Sequence, residues 1–192
     1  IARYCEAKGY FLQAEEIQKI ESYTEGWAAA LVAVTLSLKN ESGRREVIES
    51  FGPNRAYIES YLSEDVFNKW TKRQQDFMEK TSILDRLCEP LCEAVTEDGG
   101  GSLLGELYRQ NSFLVGLDDE GVWFRYHHLF SEFLKKRLAC REAAEIRALH
   151  QRAAAWLAAN GCCDEAFEHY LSGECYEEAL RLTEDQTAEF IR

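Results

Sequence analysis

Proline is nearly missing from this chain: 192 residues hold two, Pro53 and Pro90. Proline breaks the interior of helices and central strands, so its scarcity leaves long stretches free to run as helix. No run of about 18 apolar residues occurs, which excludes a membrane-spanning helix. No basic-then-apolar leader is present either. The sequence has no GxxxxGK[ST] phosphate loop, no GxSxG elbow and no HExxH helix. Gly99-Gly100-Gly101 lacks both a following lysine and a preceding apolar strand, and reads as a plain loop. No catalytic site is therefore expected in this chain. Its seven cysteines are odd in number and irregularly placed. Cys88 and Cys92 stand four apart and Cys162 and Cys163 are adjacent, without the paired spacing of a zinc site. Reduced thiols are expected, which favours the cytoplasm, and no metal.

Basic charge is also short. The net charge is −12, from 22 basic and 34 acidic groups. Divided at Pro53 and Leu138, each part is acidic on its own. Nucleic-acid affinity comes largely from neutralising phosphates, so this chain alone is a poor DNA ligand.

What is present is helical texture. Hydrophobic residues make up 46% and charged residues 29%, a globular balance. The chain starts at Ile1, inside an amphipathic segment, and is expected to be a piece of a longer protein. Residues 1–20 read as a short segment followed by a polar helix with Ala14, Ile17 and Ile20 on one side. Ser22 with Glu25 fits a capping box for the next helix, 26–38, which is apolar almost all round and calls for burial on most sides. Residues 40–54 read as a linker. Three helices are predicted next: 55–70, then one capped by Thr71 and running to Thr81, then 87–95 with Pro90 in its first turn. After a glycine-rich loop, Ser102 is the predicted cap of a helix over 103–110.

Residues 113–138, FLVGLDDEGVWFRYHHLFSEFLKKRL, organise the rest. Phe113, Val115 and Leu117 alternate, then Asp118-Asp119-Glu120-Gly121 turns, then Val122, Phe124 and Tyr126 alternate. The period then changes, with Leu129, Phe130, Phe133, Leu134 and Leu138 on one helix face. One hairpin in a helical chain predicts a winged helix. From Ala143 the chain becomes Ala-rich. Helices are expected over 143–159 (stopped by Asn160-Gly161), 164–171 and 176–190, a pattern resembling tetratricopeptide pairs.

His127 and His128 stand at the hairpin-to-helix junction. A helix N-terminus suits an anion such as phosphate. The plainer alternative is that both imidazoles cap the helix or pack under the wing. The helix before the wing, residues 103–110, carries one acid and one base, and the turn 118–120 is acidic. Both would meet DNA phosphates with the wrong charge, so the winged helix reads as an interaction module.

Five linked stretches carry a family resemblance. Residues 24–31, TEGWAAAL, resemble the TEGWAAGL signature of the large ATP-binding LuxR-type regulators, the MalT-like group of signal-transduction ATPases. Residues 55–62 resemble that family's RYVxDYL. Residues 81–92 resemble its TSILDRLCGPLC, and 111–119 its NLFLVPLDD. Residues 124–130, FRYHHLF, are similar to its YRYHHLF. Ala28 stands where the broader class has an adenine-packing proline near Gly26 and Trp27. Glu89 and Gly116 replace the family's glycine and proline.

The resemblance implies the central segment of a bacterial transcription activator. It implies three parts: 1–53, the helical end of an ATPase module; 54–138, a winged helix with one β-hairpin; 139–192, the start of a helical-repeat sensor. The fold class is mainly α. Tyr126-His127-His128-Leu129 sits where related nucleotide switches place a histidine on the β-phosphate of ADP. His127, with Gly26 and Trp27, is thus the implied nucleotide contact. ATP or ADP would belong to the parent protein, a slow ATPase switch, and not to this segment alone. Implied partners are the parent's other domains, further copies or regulatory proteins; neither nucleic acid nor membrane is expected.

Overall fold

The computed structural model describes residues 1–38, 62–63, 67–110 and 113–190. These fall into two compact units, Ile1–Lys69 and Trp70–Arg192.

In the first unit, α1 (Ala2–Ala7), α2 (Ala14–Thr24) and α3 (Ala28–Ser37) are helices. Cys5, Ile20, Leu31, Val34 and Leu38 form its core, with Ile1, Tyr4, Tyr10, Leu12 and Tyr23 packed round them. The Ser22–Glu25 capping box does not form, because α2 runs on through Thr24. Ser22 instead donates to the Lys19 carbonyl at 2.9 Å. The start of α2 has a capping box of its own, where the Glu16 carboxylate accepts the Gln13 N–H at 2.7 Å. The linker 40–54 and most of the predicted 55–70 helix lie outside the described residues. Of the latter, Phe67–Lys69 makes a 3-10 turn, and Leu62 and Phe67 are buried.

The second unit begins with α4 (Lys72–Thr81), whose cap is Thr71 as its sequence predicts. The Thr71 hydroxyl accepts the Gln74 N–H at 3.3 Å, and Phe77 and Met78 face the core. Next come α5 (Glu89–Thr96), with proline in its first turn, and α6 (Gly101–Arg109). Leu87 is not helical. It forms an isolated antiparallel bridge to Phe124, with N–H···O contacts of 2.7 and 2.9 Å. Ser102 is not the cap of α6, which starts at Gly101 with Gly100 as its N-cap. The Glu93 carboxylate, from α5, accepts the Gly99 and Gly101 N–H groups at 3.0 and 2.9 Å.

The hairpin pairs β1 (Leu114–Gly116) with β2 (Phe124–Tyr126) antiparallel, Val115 opposite Arg125. It is shorter than its alternation suggests: Leu117 and Val122 lie beyond the strands and are each 47% exposed. Asp118 closes the turn by accepting the Val122 and Trp123 N–H groups, both at 2.9 Å, and Gly121 takes φ +69°. With Leu87 on its other side, β2 is the central member of a small sheet and β1 an outer one.

Helix α7 (His128–Leu138) follows, then α8 (Ala143–Ala159), α9 (Cys163–Ser172) and α10 (Tyr176–Phe190). Helix α8 packs on α9 and also on α5. Leu149, Ala153, Ala154 and Leu157 supply its buried face. Gly161, at φ +75°, ends it as expected. The helical pair α8–α9 is thus built onto the winged helix within one unit. Among the described residues, no helix is long and apolar enough to cross a membrane.

Candidate functional site

The junction of β2 with α7 is held by aromatic packing below and main-chain hydrogen bonds above. Tyr126, the last residue of β2, is 5% exposed. Its hydroxyl lies 2.8 Å from Thr81 Oγ1. Thr81 already donates its proton to the Phe77 carbonyl at 2.8 Å, so Tyr126 is the donor in that pair. Burial pushes the Tyr126 phenol far above its ordinary range, more than the Thr81 contact offsets. The phenol is a fixed neutral donor. Phe130 packs beside Phe113 with centroids 4.7 Å apart and edge-on to Tyr126 at 5.8 Å. These rings fix where α7 starts.

His127 is the N-cap of α7. Its main-chain N–H donates to Phe113 at 2.7 Å, and its carbonyl accepts from Phe130 and Ser131, both at 2.9 Å. Its Nδ1 accepts the Leu129 N–H at 3.3 Å. An Nδ1 that accepts carries no proton, so the neutral ring bears its hydrogen on Nε2. Nε2–H is therefore a donor, the polarity a phosphate oxygen needs. The His128 ring stacks on it, centroids 4.7 Å apart and planes at 27°.

The same geometry restrains the nucleotide reading. His127 is only 4% exposed, whereas an anion approaching a helix start calls for an open face. Its side chain also satisfies one of the orphan N–H groups of α7, the plainer role weighed for it above. The other two implied contacts lie in the first unit. Glu25 and Gly26, at φ +44° and +77°, form the turn between α2 and α3. Trp27 is half-buried and donates its N–H to the Thr24 carbonyl at 2.7 Å. A Cβ at Gly26 would meet nothing within 4 Å, so its positive φ, not crowding, is what favours glycine there.

Sequence reasoning passed over a second set of polar groups around the winged helix. Arg86, in the turn before Leu87, makes a bidentate pair with Glu165 of α9, its closest contact 2.6 Å. Cys162 Sγ also lies 3.2 Å from Arg86. Arg141, between α7 and α8, binds Glu79, Asp76 and Glu145 at 2.6 to 2.8 Å. Burial opposes the charge of Arg141, but its three carboxylate partners outweigh it and raise the guanidinium pKa. Burial likewise opposes ionisation of Asp76, and Lys80 and Arg141 overcome it. Arg152 of α8 donates to the Val95 carbonyl at 2.8 Å, covering the end of α5. Pairings of this length are invisible in sequence: Arg86 and Glu165 are 79 residues apart.

Three helices, a hairpin bridged by Leu87, and a closing helix make a winged helix, and known proteins agree. Residues 63–146 match the MalT winged helix domain. The chain carries a winged-helix domain related to that of MalT-type regulators. It is 33% identical over 177 residues to the HTH-type transcriptional regulator MalT of Klebsiella pneumoniae, covering 87% of this chain and 20% of the relative. It is 32% identical over 184 residues to the serine/threonine-protein kinase PknK of Mycobacterium tuberculosis, covering 95% of this chain and 17% of the relative. The chain thus spans a fifth or less of the length of these relatives.

Proposed function

We propose that this chain is the central regulatory segment of an ATP-dependent bacterial transcription activator, acting in the cytoplasm. Its winged helix serves as a nucleotide-gated lid between an ATPase module and sensor repeats. Residues 1–53 end the ATPase module, 54–138 form the lid and 139–192 begin the tetratricopeptide-like sensor. The closed lid holds ADP and keeps the parent inactive. Inducer on the repeats and exchange for ATP shift the population to an open form that assembles. Partners are the parent's other domains, further copies or regulatory proteins, and DNA contact lies elsewhere in the parent. The observation that carries this reading is the match to the MalT winged helix, with His127 at its closing helix presenting Nε2–H as donor. At its present burial, His127 reaches a phosphate only when the face over it opens.

The test uses the full-length parent. His127→Ser keeps an oxygen able to cap α7 and removes the imidazole. Weaker ADP binding and higher basal transcription are expected, with unchanged thermal stability. Unchanged ADP affinity and unchanged basal transcription would end the lid reading.

A second reading has an observation of its own. Because His127 is buried and already caps α7, the winged helix can be a protein-interaction scaffold with no nucleotide role. In that case His127→Ala lowers stability and leaves ADP affinity alone.

A further inference from the structure

Among the described residues, no strand covers the outer edge of β1. Pairing with β2 is hydrogen-bonded at Phe113–His127 and at Leu117–Trp123, through contacts of 2.7 and 2.8 Å. Antiparallel ladders alternate, so Leu114 and Gly116 turn their N–H and C=O groups away from β2. On that side no strand pairs with β1 among the described residues. Gly116 is exposed. It has no side chain to shield its backbone, and the Tyr108 hydroxyl lies 3.6 Å from where a Cβ would stand. An uncovered strand edge is a template for another strand.

Apolar and charged groups flank that edge in an order that describes its occupant. Leu117 and Val122, just beyond the strands, are each 47% exposed, and Tyr108 is 43% exposed. Asp119 and Glu120 project at the wing tip, both exposed, and among the described residues no ion pair reaches either. Asp118 is fixed by its two backbone donors, so the acidic tip is held in place. A second copy of this chain would bring the same negative wing and be repelled. A segment with alternating basic and apolar side chains would satisfy the backbone edge, the apolar flank and the carboxylates together.

We propose that the outer edge of β1 receives an extended basic-and-apolar segment of a partner protein as an added strand, held at Leu114 and Gly116. The proposal stands apart from any nucleotide role, since it uses neither His127 nor the first unit.

The experiment titrates the 192-residue chain with a short alternating Lys–Val peptide, capped at both ends. A matching Glu–Val peptide is the control. The readouts are amide NMR shifts and a binding isotherm. Saturable binding of the Lys–Val peptide is expected, with the largest shifts at Leu114 and Gly116 and weakening as salt is added. Gly116→Pro removes the outward N–H without touching the inward pairs at Val115 and Leu117. It should weaken binding about tenfold, the loss of one main-chain hydrogen bond. Equal binding of the Glu–Val peptide, or Lys–Val affinity unchanged in Gly116→Pro, overturns the proposal. So does absence of saturable binding, or self-association of the chain through β1. Should Gly116→Pro fail to fold, the double variant Asp119→Lys and Glu120→Lys decides. It must weaken the Lys–Val peptide and strengthen the Glu–Val one, and unchanged affinities for both overturn the idea.

Discussion

Arg86 lies over the indole of Trp123, its guanidinium carbon 4.2 Å from the ring centroid, while the same guanidinium grips Glu165. One side chain thereby ties the wing, the turn before Leu87 and the start of α9 together. The pair with Glu165 is the first cause of the raised Arg86 pKa, with burial opposing it. The winged helix and the α8–α9 pair therefore share one anchor at this point.

Replacing Arg86 separates the two contributions. Both side chains of the ion pair are about a third exposed, so solvent screening limits the pair to roughly 1 kcal/mol or less. Stacking on the indole adds about 0.5–1 kcal/mol. Arg86→Ala should lower unfolding stability by roughly 1–2 kcal/mol in a denaturant titration, and Trp123 fluorescence should change. Arg86→Lys should recover little, because an ammonium cannot match the planar fork. Full stability in Arg86→Lys would contradict the bidentate geometry.

Glu79 tests the second anchor. Its side chain is 11% exposed and holds Arg137 at 2.8 Å and Arg141 at 2.6 Å. Removing the acid takes away a carboxylate shared by Arg137 and Arg141, while Asp76 and Glu145 still pair with Arg141. Breaking one side of a largely buried pair costs about 3–5 kcal/mol, and the remaining carboxylates reduce that. Glu79→Ala is expected to lose about 2–3 kcal/mol. Glu145→Ala removes a carboxylate that is itself 39% exposed and should lose under about 1 kcal/mol. Equal losses in the two variants would show that burial does not rank these contacts.

How far the sequence disclosed this molecule depends on the range of the interaction involved. The Thr71 cap, the Asn160-Gly161 stop and the change of period after Tyr126 are local signals, and each element they predict is found. The sequence pattern assigns Leu87 to the start of the 87–95 helix, whereas the helix begins at Glu89 and Leu87 pairs with Phe124. A bridge made by one residue has no alternation to betray it. Ser102 fitted the cap of α6, but Glu93 reaches over from α5 and takes that place. His127 is the same kind of case. Its position at the junction follows from the pattern, whereas capping or ligand contact depends on which way Nδ1 turns. The Arg86 and Arg141 anchors join residues that only the tertiary fold brings together.

Charge on the wing yields a prediction about DNA. A winged helix that reads DNA presents a basic helix and wing to phosphates. Here α6 offers Glu106 and Arg109, and the wing offers Asp118, Asp119 and Glu120. Arg109 is already turned back on the Gly105 carbonyl at 3.1 Å. With a net charge of −12, this chain should give no detectable duplex binding in a gel-shift or anisotropy titration at physiological salt. Binding that weakens steeply with added salt would show a phosphate-reading surface and reverse the assignment.

Acid should weaken the α8–α9 contact before it reaches the carboxylates. His150 and His169 approach Nδ1 to Nδ1 at 2.8 Å, so one ring must donate to the other and both cannot be charged. Burial, then the neighbouring His150, lowers the His169 pKa to about 4. Lys135 lowers it further, and Asp85 and Glu165 act the other way. Burial lowers His150 as well. The unfolded chain takes up protons near the ordinary histidine value of 6.5, the folded one only near 4. Between those values the unfolded state binds more protons, so the stabilisation is whole above 6.5 and is lost as pH falls towards 4. The slope is at most about 1.4 kcal/mol per pH unit for one site. Asp76, whose pKa lies below the ordinary 3.8, contributes its loss only at lower pH. Denaturant titrations at stepped pH should therefore show a decline beginning near neutrality in the native chain. His169→Gln should flatten that decline above the carboxylate range, and an unchanged slope in this variant would mean that the buried imidazole pair does not set the acid response.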